Sequence, residues 1–387
     1  MKSKSSGKTC ALADAWIKVS LPALAANVQA VKEHLAAGAG EPPKLMAVVK
    51  ADAYGHGAGR SALAFRDAGA DAFGVTTLVE AIELCDAGIR SQETPILVFA
   101  PLISAEQARI AVEHDLHLTV CDQAQVRLIC EGAGSQGKQA ALHLKVDTGM
   151  GRLGLPPADA LAVAKGLKGE ANAHLAGVYT HFARAGEKDL GPTRAQLARF
   201  TEFCKKLDNE GIRPTVRHAA NSAALLRLPE SRLDMVRAGT ILYGQYPSAF
   251  VPKLEKLQPK TWTMQARVVF VHRLPTGSAV GYGAETTVKR STVAAVIPVG
   301  FADGFAVSPN SLFRGARGWR ALLKPEEPFV WLQGRKAPVL GRVAMQMIVV
   351  DVTDLPKPVQ TGDIADIPAR RLSASARLPR IYDEVPV

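Results

Sequence analysis

No stretch of the 387-residue sequence reaches the ~18 apolar residues of a membrane-crossing helix. The opening MKSKSSGKTCALADAW carries charge but lacks the apolar segment of a signal peptide. A cytoplasmic protein with no membrane partner is the expectation. Cysteine is sparse: Cys10, Cys85, Cys121, Cys130 and Cys204 are odd in number, scattered, and without a CxxC pair or a His-rich neighbourhood. That excludes a disulfide framework and a zinc site, leaving reduced thiols and no metal. A homopolymeric basic run is also missing. The net charge of +11 arises mainly from residue 256 onward, where basic residues outnumber acidic ones 18 to 10 without interleaved aromatics. A solvated basic surface and anionic small ligands fit that pattern; nucleic acid does not.

What is present is a rhythm of short apolar runs: LMAVV (45–49), FGVTT (73–77), ILVFA (96–100), HLTVC (117–121), LHLKV (142–146), AGVYTHF (176–182), VRHAAN (216–221) and MVRAG (235–239). Amphipathic helical patterns such as SALAFRDAG, VEAIELCDAG and TRAQLARFTEFCKKLDNEG lie between them, several closed by glycine. Eight βα units in about 250 residues predict a (β/α)8 TIM barrel over residues 1–255 rather than a doubly wound sheet. From 256 to 387 the texture changes. RVVFVHRL, STVAAVIPVG, PFVWLQG and AMQMIVVDV are β-rich, with one helical stretch near 312–323, so a mostly β C-terminal domain is expected after the linker AFVPKLEKLQPK. Residues 1–20 hold a strand that could join either domain.

In a βα barrel, reactive groups sit where strands give way to loops. The strand ends here supply Lys50, Lys145, Asp147, His181, Asn221, Ser222 and Arg237. A lysine closing a buried strand is costly to keep charged, so its amine becomes available for imine chemistry, although a lone lysine in that position more often reaches out to solvent. GMGRLG (149–154) matches the dinucleotide fingerprint G-x-G-x-x-G, which would make the chain an oxidoreductase. It follows about the fifth strand and two charged residues, whereas the fingerprint belongs to a first βαβ unit.

AVVKADAYGHG, HLKVDTGMGRLG, YTHFA, HAANSAA, MVRAGTILYG, VGYG, FADG and GRVAMQM stand in the order found in alanine racemases, and together they span nearly the whole chain. The sequence resembles that family: pyridoxal-phosphate enzymes with a barrel and a β domain, cytoplasmic homodimers whose D-alanine serves the cell wall. The resemblance implies pyridoxal 5′-phosphate as cofactor, an amino acid as the small-molecule substrate, and interconversion of L- and D-alanine by two bases. It makes Lys50 the lysine that joins the cofactor and acts as one base, and Tyr282, in VGYG, the other, reaching the site from the partner chain. It assigns Tyr54, Ser222 and the backbone at Gly239 and Thr240 to the phosphate. His181 and Arg237, backed by His218, form the network that assists the phenol. Arg237 can only donate a hydrogen bond to the pyridine nitrogen, which weakens the electron sink and suppresses side reactions. Arg152 is aimed at the substrate carboxylate together with the Met345 amide. Lys145 matches a lysine that many relatives carry as a carbamate; its alternative is a plain contact with Asp147 or solvent.

The sequence also departs from the family. Met345-Gln346 stands where Met-Asp is usual, and Phe301 replaces a tyrosine in GFADG, so a broader range that includes serine is the alternative substrate reading. Ala376 occupies the place of a phosphate-binding tyrosine, and SLFRGARGWRALLKPEEPF, around residues 311–329, reads as an insertion. A decarboxylase or aldolase on the same architecture would use Lys50 without Tyr282, and a non-catalytic binding protein would need only the barrel.

Overall fold

A computed structural model describes residues 12–38, 40–307 and 327–383. Cys10, the helical stretch near 312–323 and most of the expected insertion lie outside the described residues. Two units emerge, one running Leu21–Thr261 and the other combining the residues up to Ser20 with those from Trp262 onward. The expected boundary between 255 and 256 falls inside the first unit, because Asn27 ties the segment beyond it to the barrel. Its Oδ1 accepts from the Gln258 amide at 2.6 Å and its Nδ2 donates to the Gln258 carbonyl at 3.0 Å.

The N-terminal strand, β1 (Ala15–Ser20), belongs to the second unit, pairing antiparallel with β10 (Trp262–Arg267) and parallel with β19 (Arg380–Asp383). The first unit is a closed barrel of eight parallel strands, β2 to β9: Lys44–Val48, Ala72–Val75, Ile96–Val98, His117–Val120, Ala140–Lys145, Ala173–Tyr179, Val216–His218 and Met235–Ala238. β3 and β4 are buried at every residue, as strands covered on both faces must be. Inside the barrel Met46, Ala72, Leu97, Val216 and Met235 pack as one cluster against Phe99. A side chain on Gly74 would sit 2.5 Å from the Phe99 ring, so that position keeps its hydrogen.

The outer helices follow from apolar spacing and caps. Gly191–Asn209 buries Leu197, Phe200, Phe203, Cys204 and Leu207, one face of a 3.6-residue period. Leu78–Asp86 starts on a capping box in which Thr77 accepts from the Glu80 amide and Glu80 reaches back to the Thr77 amide. Cys85, Cys121, Cys130 and Cys204 are all free thiols.

GMGRLG is no dinucleotide loop. The Asp147 carboxylate gathers the N–H groups of Gly149, Met150 and Gly151 at 2.7–2.9 Å, a tight loop that returns to bridge Val146 with Leu155 before a helix begins at Pro157. Those N–H groups are therefore satisfied within the chain and not held for a pyrophosphate.

In the second unit a nine-stranded sheet runs β11-β14-β17-β16-β15-β18-β10-β1-β19, with β11 at Phe270–Leu274, β14 at Thr292–Ile297, β15 at Phe329–Leu332, β16 at Arg335–Leu340, β17 at Ile348–Asp351 and β18 at Ile364–Ile367. Among the described residues, no helix is long and apolar enough to cross a membrane, and no group of His, Cys, Asp and Glu is arranged to hold a metal ion.

Candidate active site

Val48 ends β2, and Lys50 opens a turn of unusual hand. Ala51, Asp52, Ala53 and Tyr54 have φ of 52°, 54°, 51° and 55° with positive ψ, a left-handed helical turn built without glycine. Such a conformation costs ~1–2 kcal/mol per residue and persists only where the surroundings over-determine it. Several bonds do so here. Ala53 N–H donates to the Val49 carbonyl at 2.9 Å and Gly57 N–H to the Asp52 carbonyl at 3.0 Å. The Asp52 carboxylate accepts from the Ala58 amide at 2.8 Å, and the Glu80 carboxylate accepts from the Ala51 amide at 2.7 Å. Below the turn, Tyr243 donates its hydroxyl to the Val48 carbonyl and packs its ring, tilted by 33°, 4.7 Å from that of Tyr54.

The turn places Lys50 and Tyr54 on a cavity of about 770 Å³ at the C-terminal ends of the barrel strands, shared with Lys145, Arg152, His181, Ser222, Arg237, Gly239 and Thr240. Nine residues chosen from the sequence thus meet in one place. Of the cavity's charged lining, Lys50, Lys145, Arg152, Arg184 and Arg237 are basic and only Glu187 is acidic, so it is suited to an anion. Burial first, and then the Arg152 charge, lowers the Lys50 pKa, which makes its amine a better nucleophile.

Arg237, on β9, is buried in the barrel, and its donors can be followed one by one. Nη1 donates to His218 Nδ1 and to the His218 carbonyl, both at 3.0 Å. Nη2 donates to the carbonyls of Thr180 and Ala219, with His181 Nδ1 at 3.4 Å. The Nε–H has no protein acceptor among the described residues, and Arg237 lines the cavity. A donor left over in this way and open to the cavity fits an acceptor atom on a bound group. Burial lowers the guanidinium pKa to about 10, which keeps it charged at neutral pH. Burial, reinforced by that charge, pushes His181 far below its usual value and keeps it a neutral ring.

Opposite lies a cradle of hydroxyls and backbone. Ser222 Oγ accepts from the Gly239 amide at 2.8 Å, and a Cβ on Gly239 would come within 2.6 Å of the Tyr54 hydroxyl. The absence of a side chain at 239 is what lets these groups converge. Asn221 fixes the turn beside them, its Oδ1 accepting from the Ala223 and Ala224 amides.

Lys145 is 5% exposed and sits 4.4 Å above the Tyr179 ring. Burial, then Arg237 and Arg152, depress it to about 7. No carboxylate among the described residues forms an ion pair with it. Asp147 is committed to its three backbone donors, which hold its carboxyl below the ordinary value although burial acts the other way. Neither a solvent contact nor a Lys145–Asp147 pair therefore describes this lysine.

Tyr282 and Met345 belong to the second unit and are not part of the cavity lining. Tyr282 is 74% exposed and Met345 60%, and Phe301 and Met347 are exposed with them. The loops carrying them interlock. Ala302 N–H donates to the Met345 carbonyl, Arg342 is paired with Glu285, and a Cβ on Gly341 would meet the Val280 carbonyl at 2.7 Å. Ala376 is exposed in the same unit, its carbonyl accepting from Arg380. Sequence reading missed Glu80, His117, His143 and Tyr179. Only Glu80 carried a local signal, the Thr77-x-x-Glu80 capping box.

Residues 19–247 match the family model "Alanine racemase, N-terminal domain" and residues 261–377 its C-terminal counterpart. The alanine racemase of Desulforamulus reducens is 38% identical over 87% of this chain and 85% of its own length, and that of Desulfosudis oleivorans is 38% identical over 90% and 86%. Among solved structures, an alanine racemase from Clostridium difficile 630 superposes with a TM-score of 0.85 at 28% identity, covering 96% of both chains. One from Bacillus anthracis with bound L-Ala-P gives 0.80 at 29%, covering 96% of this chain and 95% of that one.

Proposed function

The chain belongs to the alanine racemase family, and from that premise we propose that it interconverts L- and D-alanine with pyridoxal 5′-phosphate, as a cytoplasmic homodimer. One observation carries the reading most directly: a lysine with a lowered pKa, a buried arginine with one N–H to spare, and a hydroxyl cradle all face a single basic cavity. Tyr54, Ser222 and the backbone at Gly239 and Thr240 would hold the phosphate, Arg237 Nε–H the ring nitrogen, and Lys50 the aldehyde carbon. Pyridoxal phosphate, when bound, withdraws electrons from the substrate Cα and so acidifies its C–H.

The residues then divide the work. Arg152 holds the substrate carboxylate with its planar fork, assisted by the Met345 N–H. Lys50 exchanges a proton with Cα on one face and Tyr282 on the other, and a proton removed from one face and supplied on the opposite one inverts the centre. Arg237 stays charged and can only donate, so it would leave a bound pyridine nitrogen unprotonated, which would favour proton exchange over transamination. Lys145 carries a carbamate: its depressed pKa supplies the neutral amine that adds to carbon dioxide, one N–H proton is released to solvent, and the resulting anion answers Arg152 and Arg237.

Tyr282, Phe301, Met345 and Met347 are each exposed in the second unit, and large apolar side chains left exposed mark a surface to be covered. A second copy of the chain supplies the cover, and its Tyr282 completes each site. Incubation with L-alanine followed by chiral chromatography tests the whole. Accumulation of D-alanine toward an equal mixture supports it; amine or aldehyde products without D-alanine would instead mean a decarboxylase or aldolase.

A further inference from the structure

Three histidines cross the barrel interior in a line, and of them only His218, behind Arg237, has a part in the network around the cavity. His117 starts β5, His143 lies on β6 and His218 ends β8. His117 Nδ1 is 2.9 Å from His143 Nε2, His143 Nδ1 is 3.1 Å from His218 Nε2, and His218 Nδ1 is 3.0 Å from Arg237 Nη1. This layer of a barrel is ordinarily filled by Val, Ile and Leu, so polar rings there require a reason. The fold makes room for them: a Cβ on Gly177, which faces His143 across the strand pair, would sit 2.4 Å from His143 Nδ1. Tyr179 stacks on His218 at 4.8 Å and 15°.

We infer that His143 and His117 are positioning residues for the racemisation proposed above, forming with His218 a one-way chain of hydrogen bonds that fixes Arg237 in the orientation that leaves its Nε–H for the cofactor. The direction follows from proton counting. Arg237 can only donate, so His218 Nδ1 must accept and its proton must sit on Nε2. That Nε2–H donates to His143 Nδ1, which forces the proton of His143 onto Nε2, and the same step at His117 Nδ1 fixes the third ring. Burial holds His143 and His218 well below the usual histidine range and His117 at about 4, so all three rings are neutral and each has one donor and one acceptor. The charged and titratable groups around the chain are Arg237, Lys145, His174 and Tyr179, the last with its hydroxyl engaged by Thr119 at 2.8 Å. None of them offers an acceptor that would let Arg237 turn without breaking two bonds at once.

The test is ¹⁵N NMR of selectively labelled histidine in the purified, cofactor-saturated protein, with signals assigned from single variants. The expected result is a proton on Nε2 of both His143 and His218. His143→Asn keeps an acceptor where Nδ1 lies and should retain kcat within about threefold. His143→Leu and Gly177→Ala should each lower kcat by about tenfold, the worth of one buried hydrogen bond, with KM little changed and the cofactor absorbance band shifted. A proton on Nδ1 of either ring, or a His143→Leu protein with the parent spectrum at His218 and the parent kcat, overturns the inference. The tautomer readout does not depend on turnover. Failure to racemise alanine would therefore defeat the functional reading while leaving the chain measurable.

Discussion

The Ala51 amide donates to Glu80 Oε1 across 2.7 Å, so a carboxylate in the first turn of the helix Leu78–Asp86 holds the residue that follows Lys50. The other oxygen of the same carboxylate accepts from the amides of Thr76 and Thr77. One side chain thus links the ends of β2 and β3 and opposes the unwinding of a left-handed turn. Glu80→Ala should cost about 1–3 kcal/mol, because three donors lose their acceptor, and should lower kcat more than it lowers cofactor content. Urea denaturation with a cofactor titration checks this; a variant of parent stability and rate would show that the turn is held without Glu80.

That turn marks the limit of what the sequence makes legible. All eight barrel strands were readable from apolar runs, each overlapping the strand that forms, because parallel strands covered on both faces are mostly apolar even where a His, Lys or Arg interrupts them. Of the cavity lining, Lys50, Lys145, His181, Asn221, Ser222 and Arg237 were readable as strand ends, whereas Tyr54, Arg152, Gly239 and Thr240 came only from the family resemblance. The left-handed turn was not, since Ala and Tyr have no local preference for positive φ, a single Asp does not specify a run of four, and only tertiary bonds impose it. The histidine chain was hidden for a related reason. His117, His143 and His218 are more than twenty residues apart in sequence, and what unites them is barrel closure.

Lys50→Ala should abolish both the absorbance near the visible edge and the racemisation, with the fold retained by circular dichroism. In the parent, cofactor uptake requires the neutral amine, so its pH profile should level off below the ordinary lysine value of 10.5. An absorbance band that survives in the variant would assign the linkage to another amine.

By the resemblance drawn from the sequence, Gln346 stands where the family usually has an aspartate, beside the Met345 amide proposed for the substrate carboxylate. Losing that charge should widen the acceptable side chains, so Gln346→Asp is expected to raise the preference for alanine over serine severalfold in kcat/KM. Rates on a panel of amino acids decide it, and an unchanged ratio would place specificity elsewhere.

Unmodified Lys145, with a pKa of about 7 against 10.5 for an ordinary lysine, releases its proton in the folded state before the unfolded chain does. Between those values the unfolded state binds more protons, so stability should rise with pH from about 7 to about 10.5, and the cost of burial is complete below about 7. Carbamate formation removes that cost. In carbon-dioxide-free buffer the parent should therefore melt lower, and more so toward neutral pH, whereas added bicarbonate should restore its Tm. Lys145→Met should melt at one temperature in both buffers. Melting curves of the parent that ignore bicarbonate would argue for a bare amine.

Tyr282 and Lys50 lie in different units of the chain, and the proposal that Tyr282 acts across a dimer makes a quantitative demand. A Tyr282→Phe chain lacks one base at every site and a Lys50→Ala chain lacks the other, so each homodimer should be close to inactive. Random exchange of equal amounts makes about half of the dimers mixed, and two-fold symmetry gives each mixed dimer one site with both bases and one with neither. Recovered activity should therefore approach about one quarter of the parent rate per dimer. Mass spectrometry of the mixture establishes the exchange independently of turnover. Full exchange without recovery would mean that both bases come from the same chain.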